Sequence, residues 1–422
     1  MTDVVVVGGG LAGLVATRHL ADGADVTLLE KRDEVGGRVR TRRQDGYLLD
    51  RGFQVLFTSY PAVRRELDVA ALEPREFSPG ATIARPGERS VLADPLGDPA
   101  AAVETLFNRE VRLSDKLRVF QLRRELARRD PEELLEGTGQ SISDYLAERG
   151  FSKQFVENFA APFYGGITLD RSLSTDAAVF EYTFRMLSTG RTVVPADGMG
   201  AIPAQLTERA RRAGATVETG VTVEGIDASD DTAGSVTVET GTETITADAA
   251  VVATDPATAR DLTGVESIPT DARRCVTQYV TLPSGSAPET GRRIVLNAAD
   301  ARPNQIAPLS AVAPEYAPDG RELYSATFLG RQEADDEMLF EEVRDALSSW
   351  FPEARFGALE LLATDRIEFA QFDQPPGFRA DLPAPDTPEG PVALAGDYTR
   401  WSSIQGAMES GSVAADTVAE WL

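Results

Sequence analysis

The stretch Asp3-Val4-Val5-Val6-Val7-Gly8-Gly9-Gly10-Leu11-Ala12-Gly13 decides the fold. Its run of valines suits a strand buried on both faces, as in the middle of a parallel sheet. The glycines follow at once, and Leu11 to Asp22 reads as a helix. Gly8, Gly10 and Gly13 fill the three slots of a dinucleotide-binding turn. The first permits the tight turn, the second lets backbone approach a pyrophosphate, and the third lets helix pack on strand. The helix start, at Leu11 and Ala12, then offers its positive end to the phosphates.

Working outward, Val26-Thr27-Leu28-Leu29 reads as a second strand that ends in Glu30, 22 residues beyond Gly8. A carboxylate at that distance can accept hydrogen bonds from a ribose diol, and Lys31 stands next to it. Strand, glycines, helix, strand and acid in this order are far more specific than a glycine pattern alone. A second glycine turn follows, Val35-Gly36-Gly37-Arg38. Amides around Gly37 and the Arg38 guanidinium could hold a pyrophosphate from its other side.

An acid at a strand end followed by Gly-Gly-Arg resembles the flavoprotein superfamily of amine oxidases, phytoene desaturases and protoporphyrinogen oxidases. Gly46-Tyr47-Leu48-Leu49-Asp50-Arg51-Gly52-Phe53-Gln54 continues the likeness, and the resemblance places Gly52, Phe53 and Gln54 beside a flavin ring. Near the other end, Val392-Ala393-Leu394-Ala395 reads as a buried strand leading into Gly396-Asp397. Trp401-Ser402-Ser403-Ile404-Gln405-Gly406 then opens a final helix. The resemblance puts Asp397 beside the flavin pyrophosphate and ribityl chain. It aims the last helix, through amides near Ile404 and Gln405, at the pyrimidine, where a helix N-terminus stabilises the negative charge of reduced flavin. In the middle of the chain, the resemblance sets Val223 against the adenine and the turn Ala253-Thr254 near the dinucleotide.

The fold expected is therefore α/β. A discontinuous, Rossmann-like FAD-binding domain takes residues 1–80, 190–262 and 380–422. A mixed α+β substrate domain takes 81–189 and 263–379. Within it, 99–187 reads as mostly helical, 270–330 as strands broken by Pro and Gly, and 333–350 as a helix. A helix from Ala204 to Ala213 precedes strands at Thr216–Thr219 and Val221–Ile226. The acidic stretch from Asp227 to Thr232 reads as a solvated turn.

Composition narrows the chemistry. The chain has 422 residues, with 42 bases against 67 acids and a net charge of −25. That excess argues against a nucleic-acid partner. Lys31, Lys116 and Lys153 are the only lysines, and such an acid-rich, lysine-poor surface suits a very salty cytoplasm. One histidine, His19, excludes a multi-histidine metal site and argues against a Ser–His triad. His19 lies on the helix after the glycine loop and reads as structural. One cysteine, Cys275, excludes an internal disulfide and matches no flavin-attachment motif, so the FAD is expected to be non-covalent. No leader pattern opens the sequence, and no apolar run reaches the ~18 residues of a membrane span. A cytoplasmic protein with peripheral membrane contact at most is expected.

No second dinucleotide fingerprint follows a strand, which points to oxygen, a quinone or another diffusible electron acceptor. Within the resembled superfamily, amine oxidases place a lysine under the flavin on a substrate-domain strand. None of the three lysines falls in the 270–330 strands, and no second aromatic follows Trp401. Phe155, Phe159, Pro162, Phe163 and Tyr164 read either as a helix core or as the wall of an apolar tunnel, with Gln54 and Tyr164 as candidate polar guides. The leading expectation is dehydrogenation of an apolar conjugated or isoprenoid-like substrate, with hydride passing to flavin N5. Protoporphyrinogen-type oxidation, amine oxidation, a redox-neutral isomerase and a non-enzymatic flavin-bound scaffold follow in that order.

Overall fold

The computed structural model describes residues 2–93, 110–137, 139–228 and 235–422. The valine run forms the strand Asp3–Val7, buried from Val4 onward. It is the central member of a five-stranded sheet in the order Thr216–Thr219, Asp25–Glu30, Asp3–Val7, Ala249–Val252, Val392–Leu394. Every pairing in this sheet is parallel. Parallel strands need crossovers that cover both faces. Helices Leu11–Leu20 and Ile404–Ala419 pack together on one of these faces so closely that a Cβ on Gly411 would lie 2.2 Å from the Ala12 carbonyl oxygen. The α/β, Rossmann-like reading holds.

A second, seven-stranded sheet runs Glu360–Phe372, Ala272–Pro283, Arg321–Leu329, Gln305–Pro308, Ile294–Asn297, Ala81–Arg85, Glu88–Leu92. It is antiparallel except between Ile294–Asn297 and Ala81–Arg85. Strand alternation splits its faces. Val276, Val280 and Leu282 meet the amphipathic helix Asp336–Trp350 in one apolar core, and Tyr279 and Leu323 on the opposite face join the core shared with the first sheet.

Helices Leu113–Leu126, Ile142–Glu148, Ala161–Thr168 and Ala177–Thr189 supply the helical part. Residues 99–109 of the expected helical insertion lie outside the described residues, as does most of the acidic stretch beyond Ala228. Three local readings need correction. The first helix ends at Leu20 rather than Asp22. The helix read as starting at Ala204 begins at Ala201, because Pro203 falls in its first turn, where no amide donor is needed. The strand after Thr219 starts at Val223, since Val221 bonds back to the Glu30 carbonyl in a connecting loop.

A candidate flavin site at the carboxyl edge of the parallel sheet

Four strands of the parallel sheet deliver candidate residues at the same edge. Gly8 follows Val7, Glu30 ends its strand, Ala253-Thr254 follow Val252, and Gly396-Asp397 follow shortly after Leu394. Ligands bind at this edge in open α/β sheets. One cavity of about 1910 Å³ runs along it and on into the space under the second sheet. It is about twice the upper size of an ordinary small-molecule pocket. Its walls include Gly8, Gly10, Leu11, Ala12, Glu30, Lys31, Gly37, Arg38, Gly52, Phe53, Gln54, Tyr164, Val223, Ala253, Thr254, Gly396, Asp397 and Ile404. The amino-terminal loop and the last helix thus face one space.

Of the residues expected to bind the cofactor, Gly13 and Gln405 do not line that space. Gly13 serves packing: a Cβ there would sit 2.0 Å from the Gly8 carbonyl oxygen. The Gln405 side chain turns inward, accepting from the Ala62 amide at 2.9 Å and donating to Glu409 at 3.3 Å. Its backbone amide and that of Ile404 precede the first intrahelical bonds of the last helix, which Ser403 caps by accepting from the Gly406 amide at 2.7 Å.

The two glycine turns are stitched together. The Gly36 amide donates to the Gly9 carbonyl at 2.7 Å. Glu30, buried at the strand end, accepts from the Gly9 amide at 2.7 Å and from the Arg32 amide at 3.0 Å. A carboxylate has about four lone-pair positions, so acceptor capacity remains. Gly10 is different: a Cβ there would meet no atom within 4 Å. Its missing side chain leaves open a cradle between the two turns, which fits a group whose phosphates lie against backbone.

Arg38 and Asp397 stand 359 residues apart and form an ion pair at 2.6 Å. Asp397 is 2% exposed and also accepts from the Ser402 hydroxyl at 2.8 Å. Arg38 donates to the Ala370 carbonyl at 3.2 Å as well. Burial disfavours its charge, but Asp397 outweighs that and holds the guanidinium above its usual range. The cation is therefore fixed at the cavity wall. Gln54 braces the same corner, donating to the carbonyls of Arg38 at 2.9 Å and Arg51 at 3.0 Å.

Beyond this corner the wall turns aromatic. Phe151, Phe155, Phe159 and Phe163 recur every four residues, with neighbouring rings 4.6, 5.6 and 5.2 Å apart. An α-helix rotates such a row by about 40° per step. A π-helical turn at Val156–Ala160 loosens the winding and keeps the row facing the cavity. Tyr164 continues the surface, 4.5 Å from the Phe180 ring. Burial pushes its phenol up, so it stays protonated. The strand Glu360–Phe372, unread in the sequence, contributes Ile367, Phe369 and Gln371 to the lining, and Gln371 donates to the Ile167 carbonyl at 2.7 Å.

The sole histidine and cysteine take no part in binding by charge. His19 lies 3.1 Å from Glu66, away from the cavity. Cys275 lines the cavity, but burial pushes its thiol up to about 12. Among the described residues no cluster could hold a metal ion.

The family model for flavin containing amine oxidoreductase matches residues 11–419. The chain belongs to that family. Carotenoid 3,4-desaturase of Haloarcula japonica is 30% identical over 257 residues, 53% of this chain and 50% of its own. Phytoene dehydrogenase of Streptomyces griseus is 29% identical over 286 residues, 60% of this chain and 54% of its own. The chain spans about half the length of these relatives. An oxidoreductase from Methanosarcina mazei superposes on 99% of this chain and 100% of its own, with a TM-score of 0.72 and 19% identity. That last likeness speaks for the fold.

Proposed function

We propose that the chain is an FAD-dependent oxidoreductase that dehydrogenates an apolar, conjugated or isoprenoid-like substrate. The observation that carries this reading is the single cavity, with dinucleotide-binding features at one end and an aromatic wall at the other. Glu30, Lys31 and Val223 would hold the adenosine end. The glycine turns and the Arg38–Asp397 pair would hold the pyrophosphate. Gly52, Phe53, Gln54 and the amides at Ile404 and Gln405 would frame the flavin ring. When bound, FAD supplies the two-electron oxidation, taking hydride at N5 and passing electrons to oxygen, a quinone or another diffusible acceptor. The chain's own part is to orient a C–H bond and exclude water. The phenylalanine row suits that task for a hydrocarbon.

A buried, protonated thiol and a histidine outside the cavity support non-covalent binding. The two lysines that line the cavity, Lys31 and Lys116, lie outside the seven-stranded sheet, which speaks against amine oxidation. No described helix is long and apolar enough to cross a membrane. Peripheral contact is supported by helix Leu113–Leu126 at the cavity mouth, where Leu113, Leu117 and Phe120 are 63%, 58% and 48% exposed.

The test uses the full chain loaded with FAD at high salt and mixed anaerobically with candidate substrates. Bleaching of the visible flavin band by a polyene, but not by amines, is expected. Bleaching by an amine alone, or no FAD uptake at all, overturns the reading.

A further inference from the structure

The cavity face of the second sheet should be apolar if the substrate is a pure hydrocarbon, yet a polar row crosses three of its neighbouring inner strands. Thr277 lies directly opposite Thr327 across an antiparallel pair, and Thr327 directly opposite Gln305 on the next strand. All three line the cavity and are 0%, 3% and 4% exposed. The hydroxyl oxygens of Thr277 and Thr327 have no hydrogen-bond partner. Cys275, Leu296 and Ile367, also on this wall, are apolar. Valine would match threonine in shape here and leave nothing unsatisfied, whereas a buried hydroxyl without a partner loses its water for no return. The fold therefore gains nothing from these hydroxyls.

The position is also informative. A Cβ on Gly52 would lie 3.8 Å from the Thr277 hydroxyl oxygen, so the Thr277 end of this row abuts Gly52. Gln305 already accepts from the Asn304 side-chain amide, which leaves its own NH₂ group to donate. Two hydroxyls that donate or accept, beside an amide that donates, suit one oxygen atom of a ligand.

We infer that Thr277, Thr327 and Gln305 form a polar subsite for a hydroxyl or carbonyl oxygen carried by an otherwise apolar substrate. The inference rests on the dehydrogenation reading and makes it more specific. No bond is made or broken at the subsite; it selects and registers the substrate.

The experiment compares a long polyene hydrocarbon with the same polyene bearing a terminal hydroxyl. Both are presented to the FAD-loaded full chain and to a Thr277→Val/Thr327→Val variant. Wild type should favour the alcohol in kcat/KM for flavin reduction by at least about tenfold, as sites built to hydrogen-bond a substrate oxygen do. The variant should bring that ratio near unity by losing kcat/KM mainly with the alcohol, and melt no lower than wild type. Absence of a preference in wild type overturns the subsite and leaves ordered water as the partner of these hydroxyls. Equal loss with both substrates and a lowered melting point assigns the threonines a structural role, which also overturns it. If neither polyene reduces the flavin, the dehydrogenation reading fails, and binding followed by the polyene's own absorbance decides the subsite. Tighter binding of the alcohol to wild type alone keeps it, and equal binding removes it.

Discussion

Asp50 ties the cofactor side of the molecule to the second sheet. Its carboxylate accepts from the Thr41 hydroxyl, from the Met199 amide at 2.9 Å and from the Tyr316 hydroxyl at 2.9 Å, while its carbonyl accepts from the Tyr279 hydroxyl. No cation is among these partners. Burial raises its pKa from 3.8 to about 6, and the hydrogen bonds only partly offset that. The native state therefore binds this proton more tightly than the unfolded chain does. The sign follows: Asp50 lowers stability as pH rises from about 4 to about 6, and the cost persists above. It amounts to about 3 kcal/mol at 1.36 kcal/mol per unit. Asn can accept from Thr41 and Met199 and donate to Tyr316 without carrying charge. Asp50→Asn should thus be more stable than wild type at pH 8 by about 1–3 kcal/mol and lose that advantage at pH 4. Denaturant unfolding of both proteins at the two pH values measures the difference. An advantage that does not change with pH would contradict the assignment.

At the scale of elements, the glycine loop separates binding from folding. Gly10 has φ −74° and ψ 177°, which alanine adopts without strain, and open space where a Cβ would go. Gly13 has no such space, because its Cβ would strike the Gly8 carbonyl. Gly10→Ala should leave the flavin-free protein within about 0.5 kcal/mol of wild type. It should weaken FAD uptake by about tenfold or more, since the new methyl fills the cradle that backbone must approach. Gly13→Ala should instead lower the melting temperature of the flavin-free protein. Normal FAD affinity in Gly10→Ala would show that the cofactor lies elsewhere. This loop was legible in the sequence because its meaning is local: strand, turn and helix are contiguous. The second glycine turn and the end of the chain were read through their resemblance to flavoprotein motifs. The Arg38–Asp397 pair was not, because each residue has a reading of its own and only the fold brings them within 2.6 Å. Nor was the strand Glu360–Phe372, whose burial lacks a clean alternation because one stretch of it faces the cavity. Phe155, Phe159 and Phe163 had two readings, core or tunnel wall, and the fold gives them both places, since they line the cavity and pack in or against the core.

At the scale of the whole molecule, charge and apolar exposure are distributed against each other. The chain carries −25, yet helix Leu113–Leu126 holds four bases, Lys116, Arg118, Arg123 and Arg124, against two acids. One of those acids, Asp115, is buried and accepts from Ser152, and the other, Glu125, pairs with Arg149 at 2.5 Å. Leu113, Leu117 and Phe120 recur at helical spacing on the exposed side. Soluble surfaces carry scattered apolar residues without consequence, but an apolar stripe set among cations suits an anionic lipid surface. Leu113 and Phe120 line the same cavity as the phenylalanine row. Wild type should co-sediment with phosphatidylglycerol vesicles, and Leu113→Ser/Leu117→Ser/Phe120→Ser should lose most of that binding with an unchanged melting temperature. At molar salt, screening shrinks to about 3 Å and removes most of the cationic contribution. Binding that persists in wild type under those conditions, and vanishes in the triple variant, assigns the contact to the apolar stripe. Equal sedimentation of the two proteins would place any lipid contact on another face.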